Sequence, residues 1–225
     1  MRFRPLPASG LVLALALSAG LAGCKTASVQ AEKTWFFACP EPGSQVTWDD
    51  GRSLAFDGAD PADAGICLAR SGTAPVRLTW GMVEGTNSEG SGHRPGMVSL
   101  FPAKTGGNAS YTANVSYPGS GIRYPFETRW RVVAFEPLEV PAGRFDTVVL
   151  ERMVTGTGAN ASQSFTVRYW LEGVSGILLQ RKVELGRGAS SLLRDLRATA
   201  VTLPPPPPRL PPPPGAPSGP PPTGS

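Results

Sequence analysis

Cys24, Cys39, Cys67 and His93 are the side chains of this sequence best suited to covalent or metal chemistry. His93 lies in the Gly-rich stretch Ser88-Glu89-Gly90-Ser91-Gly92-His93-Arg94-Pro95. As a general base it would need a nucleophile and an orienting acid beside it, and the sequence places neither, so an exposed loop histidine is the expectation. Asp49, Asp50, Asp57, Asp60 and Asp63 crowd a short segment and invite a calcium reading. Their spacing does not follow the EF-hand loop, whereas Asp50-Gly51, Asp57-Gly58 and Asp60-Pro61 are turn-forming pairs. A zinc centre needs more ligands than two cysteines and a distant histidine supply. No G-x-S-x-G elbow, P-loop or dinucleotide fingerprint occurs. The expectation is therefore no metal, no cofactor and no catalytic residue.

Cys24 has a different setting. Arg2 and Arg4 precede an apolar run at 11–17 (LVLALAL) that is far shorter than the ~20 residues a spanning helix needs. Residues 1–23 read as a cleaved leader. Leu21-Ala22-Gly23-Cys24 resembles the lipobox of bacterial lipoproteins, in which an aliphatic residue and two small ones precede a cysteine. Small side chains suit the peptidase at the cut, and the thiol is the nucleophile that accepts a diacylglycerol. The resemblance implies that Cys24 is the acylated first residue. Because Lys25 follows rather than an aspartate, it also implies the periplasmic face of the outer membrane. The membrane is then the first partner, held by acyl chains whose buried methylenes contribute about 0.8 kcal/mol each. An ordinary secretory leader with a cysteine nearby is the alternative.

With Cys24 acylated, Cys39 and Cys67 remain in an oxidising compartment, where a disulfide persists. Closing that loop would stabilise the fold by about 3–4 kcal/mol in the chain-entropy account. Two buried free thiols are the competing reading.

Lys and Arg number 21 against 17 Asp and Glu, a formal net charge of +4. Removal of the leader takes Arg2 and Arg4 with it, and the remaining basic residues are dispersed, so nucleic acid is excluded as a partner. Residues 24–33 form a lipidated, small and polar tether that reaches at most ~30 Å when extended. Residues 204–225 (PPPPPRLPPPPGAPSGPPPTGS) form a proline-rich tail. Proline lacks the amide donor and fixes φ, so this tail is expected to be disordered with a polyproline II bias, about 70 Å long if extended. It reads as a solvated spacer or as an arm contacting the cell wall or an envelope protein.

Between the two ends, 34–203 is expected to form one domain. Its apolar pattern has period two. Residues 45–56 (QVTWDDGRSLAF) place Asp50-Gly51 between β-prone runs, a hairpin signal. Residues 76–83 (VRLTWGMV) put Val76, Leu78, Trp80 and Met82 on one strand face. Further strands are expected at 110–117, 128–135, 145–154, 164–171 and 177–185, and 192–203, which also fits one or two helical turns, is expected as a strand hairpinned onto 177–185. The fold class is mainly all-β: a curved antiparallel sheet or partial barrel.

Residues 135–147 (FEPLEVPAGRFDT) resemble a V-P-A-G-x-F stretch of uncharacterised proteobacterial periplasmic proteins and lipoproteins. In that group the hairpin is followed by a Tyr-Trp run and a glycine turn, similar to Tyr169-Trp170-Leu171-Glu172-Gly173-Val174-Ser175-Gly176 here. Leu171-Glu172 departs from the Ala-Pro expected at that point. The resemblance covers roughly 127–183 and implies a broad antiparallel sheet, akin to lipoprotein-carrier half-barrels, with no established activity. Three functional readings follow. The first is a non-enzymatic envelope protein with a structural or interaction role. The second is a hydrophobic-ligand binder using aromatics on a concave face. The third is a hydrolase built on His93.

Overall fold

Turn chemistry and period-two patterning cut the chain into short antiparallel pieces. The computed structural model describes residues 33–84, 96–116, 123–158, 163–186 and 193–205. Cys24, His93 and the tail beyond residue 205 lie outside them. The strands are β1 (Thr34–Trp35), β2 (Gln45–Trp48), β3 (Ser53–Asp60), β4 (Asp63–Ser71), β5 (Ala74–Thr79) and β6 (Val83–Glu84). After a 3-10 turn at Val98–Leu100 come β7 (Ala103–Lys104), β8 (Asn108–Ser116), β9 (Arg123–Val140) and β10 (Gly143–Gly156). β11 (Ser164–Glu172), β12 (Leu178–Leu185) and β13 (Leu196–Thr202) complete the set.

β1 pairs with β7, and the remaining strands form an 11-stranded sheet ordered β6-β5-β4-β3-β2-β13-β12-β11-β10-β9-β8. Every pairing is antiparallel, and the sheet does not close into a barrel. Two consecutive meanders, β2–β6 and β8–β12, are thus stitched together by β13. The Asp50-Gly51 hairpin forms as expected: Gly51 takes φ 83° and its amide donates to the Trp48 carbonyl at 3.0 Å. Pro141-Ala142 turns β9 into β10, with Val140 opposite Gly143.

The curvature has a local cause. Register shifts leave Asp57, Val133, Leu179 and Thr199 each as an extra residue in its ladder. Such bulges bend the strand and increase its right-handed twist. The concave side then gathers Val46, Trp130, Val132, Val148, Leu150, Tyr169, Leu171, Leu179 and Leu196, all buried in one core. Met97 and Leu100, at the 3-10 turn, join that core. The Cys39–Cys67 disulfide ties the segment between β1 and β2 to β4, across a sequence separation of 28 residues.

Two expectations need correction. Residues 76–83 are not one strand: β5 stops at Thr79, and Trp80 (φ 52°) with Gly81 (φ 67°) reverses the chain so that β6 pairs back onto β5. The Trp80 ring leaves the Val76–Leu78 face to stack on Phe101 at 4.4 Å between centroids, and that packing overrides the period-two pattern. The last strand starts at Leu196 and meets β12 only through Gln180–Arg197 and Arg181–Leu196; most of its length pairs with β2. β4, unanticipated, is the strand that carries Cys67.

Candidate functional site

The residues singled out for chemistry disperse. Cys39 and Cys67 are closed on each other and offer no thiol to a metal or an electron acceptor. The acidic cluster is spread over separate turns. Asp50 accepts from the Arg52 amide and guanidinium, and Asp57 accepts from Arg70 at 2.8 and 3.0 Å. Asp60 caps the Ala62 amide and pairs with Arg77, while Asp63 caps the Gly65 amide. The Ala62 amide and Arg77 hold the Asp60 carboxyl below its ordinary value. Among the described residues no group of three or more His, Cys, Asp or Glu is placed to hold a metal ion.

A groove of about 430 Å³ forms elsewhere, where the two stretches that carry the sequence resemblance converge. Phe135, Glu136 and Pro137 of β9, Arg144 to Thr147 of β10, and Glu172, Gly173 and Val174 line it together with Lys33, Thr34 and Trp35. The Trp35 indole donates to the Gly173 carbonyl at 3.0 Å, and the Gly173 amide donates to the Asp146 carbonyl at 2.9 Å. Those two bonds pin β1 and the β11–β12 turn to the β9–β10 hairpin. Gly176 requires glycine: φ is 70°, and a Cβ there would stand 2.4 Å from the Ala38 carbonyl oxygen.

Three polar side chains of this groove are held by hydrogen bonds. Glu136 accepts from the Trp170 indole at 2.9 Å, and Thr147 donates its hydroxyl to the Glu136 carbonyl at 2.7 Å. Glu172 accepts from the Val174 and Ser175 amides.

A second groove, about 490 Å³, crosses β8, β9 and β10 over Asn108, Ser110, Arg129, Arg131, Glu151 and Met153. Its floor holds an ion triad: Glu151 accepts from Arg131 and Arg168, both at 2.8 Å. Burial pushes the Glu151 carboxyl up, yet the Arg168 hydrogen bond and the charges of Arg131 and Arg168 outweigh it and hold it below its ordinary value. On the opposite face, Arg152 lies 5.7 Å over the Trp130 ring, which stacks on Tyr169 and donates to the Tyr111 hydroxyl at 3.0 Å. Burial raises the Tyr111 phenol above its usual range.

The triad and Arg152 escaped the sequence reading, although a signal existed. Glu151-Arg152 interrupts the apolar run Val148-Val149-Leu150, and charges placed there need partners once the strand is covered.

No protein-family model matches this chain, and no curated protein matches it. Several solved structures are similar to it, three of which follow. The hypothetical lipoprotein YmcC of Escherichia coli K12 is 15% identical over 66% of this chain and 80% of that one, with a TM-score of 0.44. A protein of Bacteroides fragilis described as exported and of YmcC-like fold is 12% identical over 75% and 99% of the two chains, with a TM-score of 0.35. A protein of Parabacteroides distasonis described as a lipoprotein is 9% identical over 76% and 100%, also at 0.35.

Proposed function

We propose that this chain is a lipid-anchored, non-enzymatic protein of the bacterial envelope, whose β domain serves a structural or interaction role. Leu21-Ala22-Gly23-Cys24 carries the reading. Acylation of Cys24 would hold the domain against the membrane through a tether that meets the first strand at Thr34. An exported location agrees with the Cys39–Cys67 disulfide, which a reducing cytosol would not maintain. The groove at 33–35, 135–137, 144–147 and 172–174 and the proline-rich tail are the two places where a partner would dock. Outer-membrane residence on the periplasmic face follows from Lys25 after the cysteine.

Metabolic labelling with a radioactive fatty acid, followed by membrane fractionation, tests this. The wild-type chain should carry label and sediment with the outer membrane, and Cys24→Ser should lose both. An unlabelled wild-type chain in the soluble fraction would refute it. Deleting residues 204–225 should leave the labelling intact and release co-purifying cell wall or envelope protein.

A further inference from the structure

Phe37 touches the rings of Trp35, Trp80 and Phe101, drawing three separate chain segments into one hub. The β11–β12 turn runs against the same hub, since both Phe37 and the Ala38 carbonyl contact the Gly176 position. Three of the stretches beside this hub carry an exposed apolar side chain. Phe36 is 72% exposed, Val174 86% and Val98, on the 3-10 turn before Phe101, 54%. Of the six large apolar side chains exposed among the described residues, these three are the ones on stretches that meet at the hub.

The location supplies the reason. The tether from Cys24 ends at Lys33, three residues before Phe36, and Lys104 stands opposite Thr34 in the β1–β7 pair. Apolar side chains flanked by lysines are the composition of a surface that lies in the headgroup region of a bilayer. The nearby carboxylates Glu136 and Glu172 keep their charge, and hydrogen bonds from the Trp170 indole and from the Val174 and Ser175 amides fix their positions beside the groove. A tether of at most ~30 Å keeps the rim at high effective concentration beside the lipid, so individually weak contacts suffice.

We propose that the rim formed by Lys33, Phe36, Val98 and Val174 rests on the phospholipid surface that anchors Cys24, fixing the orientation of the domain on the membrane. This rests on the lipid-anchor reading above. A benzophenone amino acid placed at Phe36, Val174 or Leu185 of the full-length chain, in cells grown on radioactive phosphate, tests it. Leu185 is also exposed but sits at the far end of the β11–β12 hairpin, about 25 Å along the ladder from the turn. Irradiation should yield phospholipid adducts at positions 36 and 174 several-fold above those at 185. Equal adducts at all three sites would mean that the domain tumbles freely on its tether. Protein adducts at 36 and 174 would assign the rim to a protein partner. Either result, obtained with Cys24 still carrying fatty acid, overturns the orientation while leaving the anchor standing. A chain without fatty acid at Cys24 would overturn both.

Discussion

The two meanders solve the same folding problem differently. In β2–β6 the strands are short and mostly one face is buried, as the alternation of Leu54 and Phe56 with exposed neighbours in β3 shows. Two of its ion pairs, Arg52–Asp50 and Arg70–Asp57, lie in solvent, while in a third Arg77 covers much of the Asp60 carboxylate. In β8–β12 the strands are longer, and β10 is buried on both faces from Thr147 to Arg152. Trp170 packs beside Val149 on one face, while Trp130, Leu150 and Tyr169 share the other. The first meander compensates for its thin core with a covalent staple. The second relies on burial, and so has to neutralise the charges it encloses.

The largest effect that would break this contrast is expected in the second meander. Trp130→Ala removes a buried indole that stacks on Tyr169, supports Arg152 and bonds Tyr111. It should cost about 3–5 kcal/mol in chemical denaturation. A loss under 1 kcal/mol would mean that β8–β12 does not depend on that layer.

Nearly as large is the loss of the staple. Replacing Cys39 and Cys67 by serine opens a closed loop of 28-residue separation and should cost about 3–4 kcal/mol. Native-state hydrogen exchange should then show the β2–β5 amides losing protection before those of β10 and β11. Uniform loss across both meanders would erase the distinction drawn between them.

The smallest effect separates enclosed charge from exposed charge. Glu151→Gln weakens two charge-assisted bonds at a carboxylate whose side chain is only 11% exposed, and should cost about 1–2 kcal/mol. The same exchange at solvent-facing Asp57 should cost well under 1 kcal/mol. The Glu151 carboxyl titrates lower in the folded chain than in the unfolded one. Its contribution is therefore complete above about pH 4.5, the ordinary glutamate value, and disappears as pH falls through the lower folded value. Denaturation midpoints of wild type and Glu151→Gln should converge as the solution is acidified below that value. A constant gap would show that the ionised carboxylate is not what the variant lost.

Local chemistry made much of this legible in advance. The hairpin at Asp50-Gly51 needs only a glycine free to adopt positive φ between two β-prone runs, and the turn at Pro141-Ala142 needs only residues that favour reversal. Period-two patterning placed 128–135 and 145–154 inside strands that the structure extends at both ends, and matched 164–171 and 177–185 to within one residue. Failures came where a distant residue settled the outcome. Trp80 left its strand because Phe37 and Phe101, remote in sequence, offered it a stack. β13 turned from β12 to β2, a partner some 150 residues earlier in the chain, where Thr199 also bonds the Thr47 carbonyl.

What the amino-acid order alone determined was the all-β character, the positions of the sharpest turns, and which two cysteines were free to pair. These depend on backbone conformational preferences and side-chain alternation acting over a few neighbouring residues. The tertiary structure alone decided the strand order across β13, the bulges that curve the sheet, the partners of Glu151, and the groove where β1 meets the β9–β10 hairpin. Backbone hydrogen bonding is the same for every strand, so only the packing of side chains far apart in sequence can select among the possible partners.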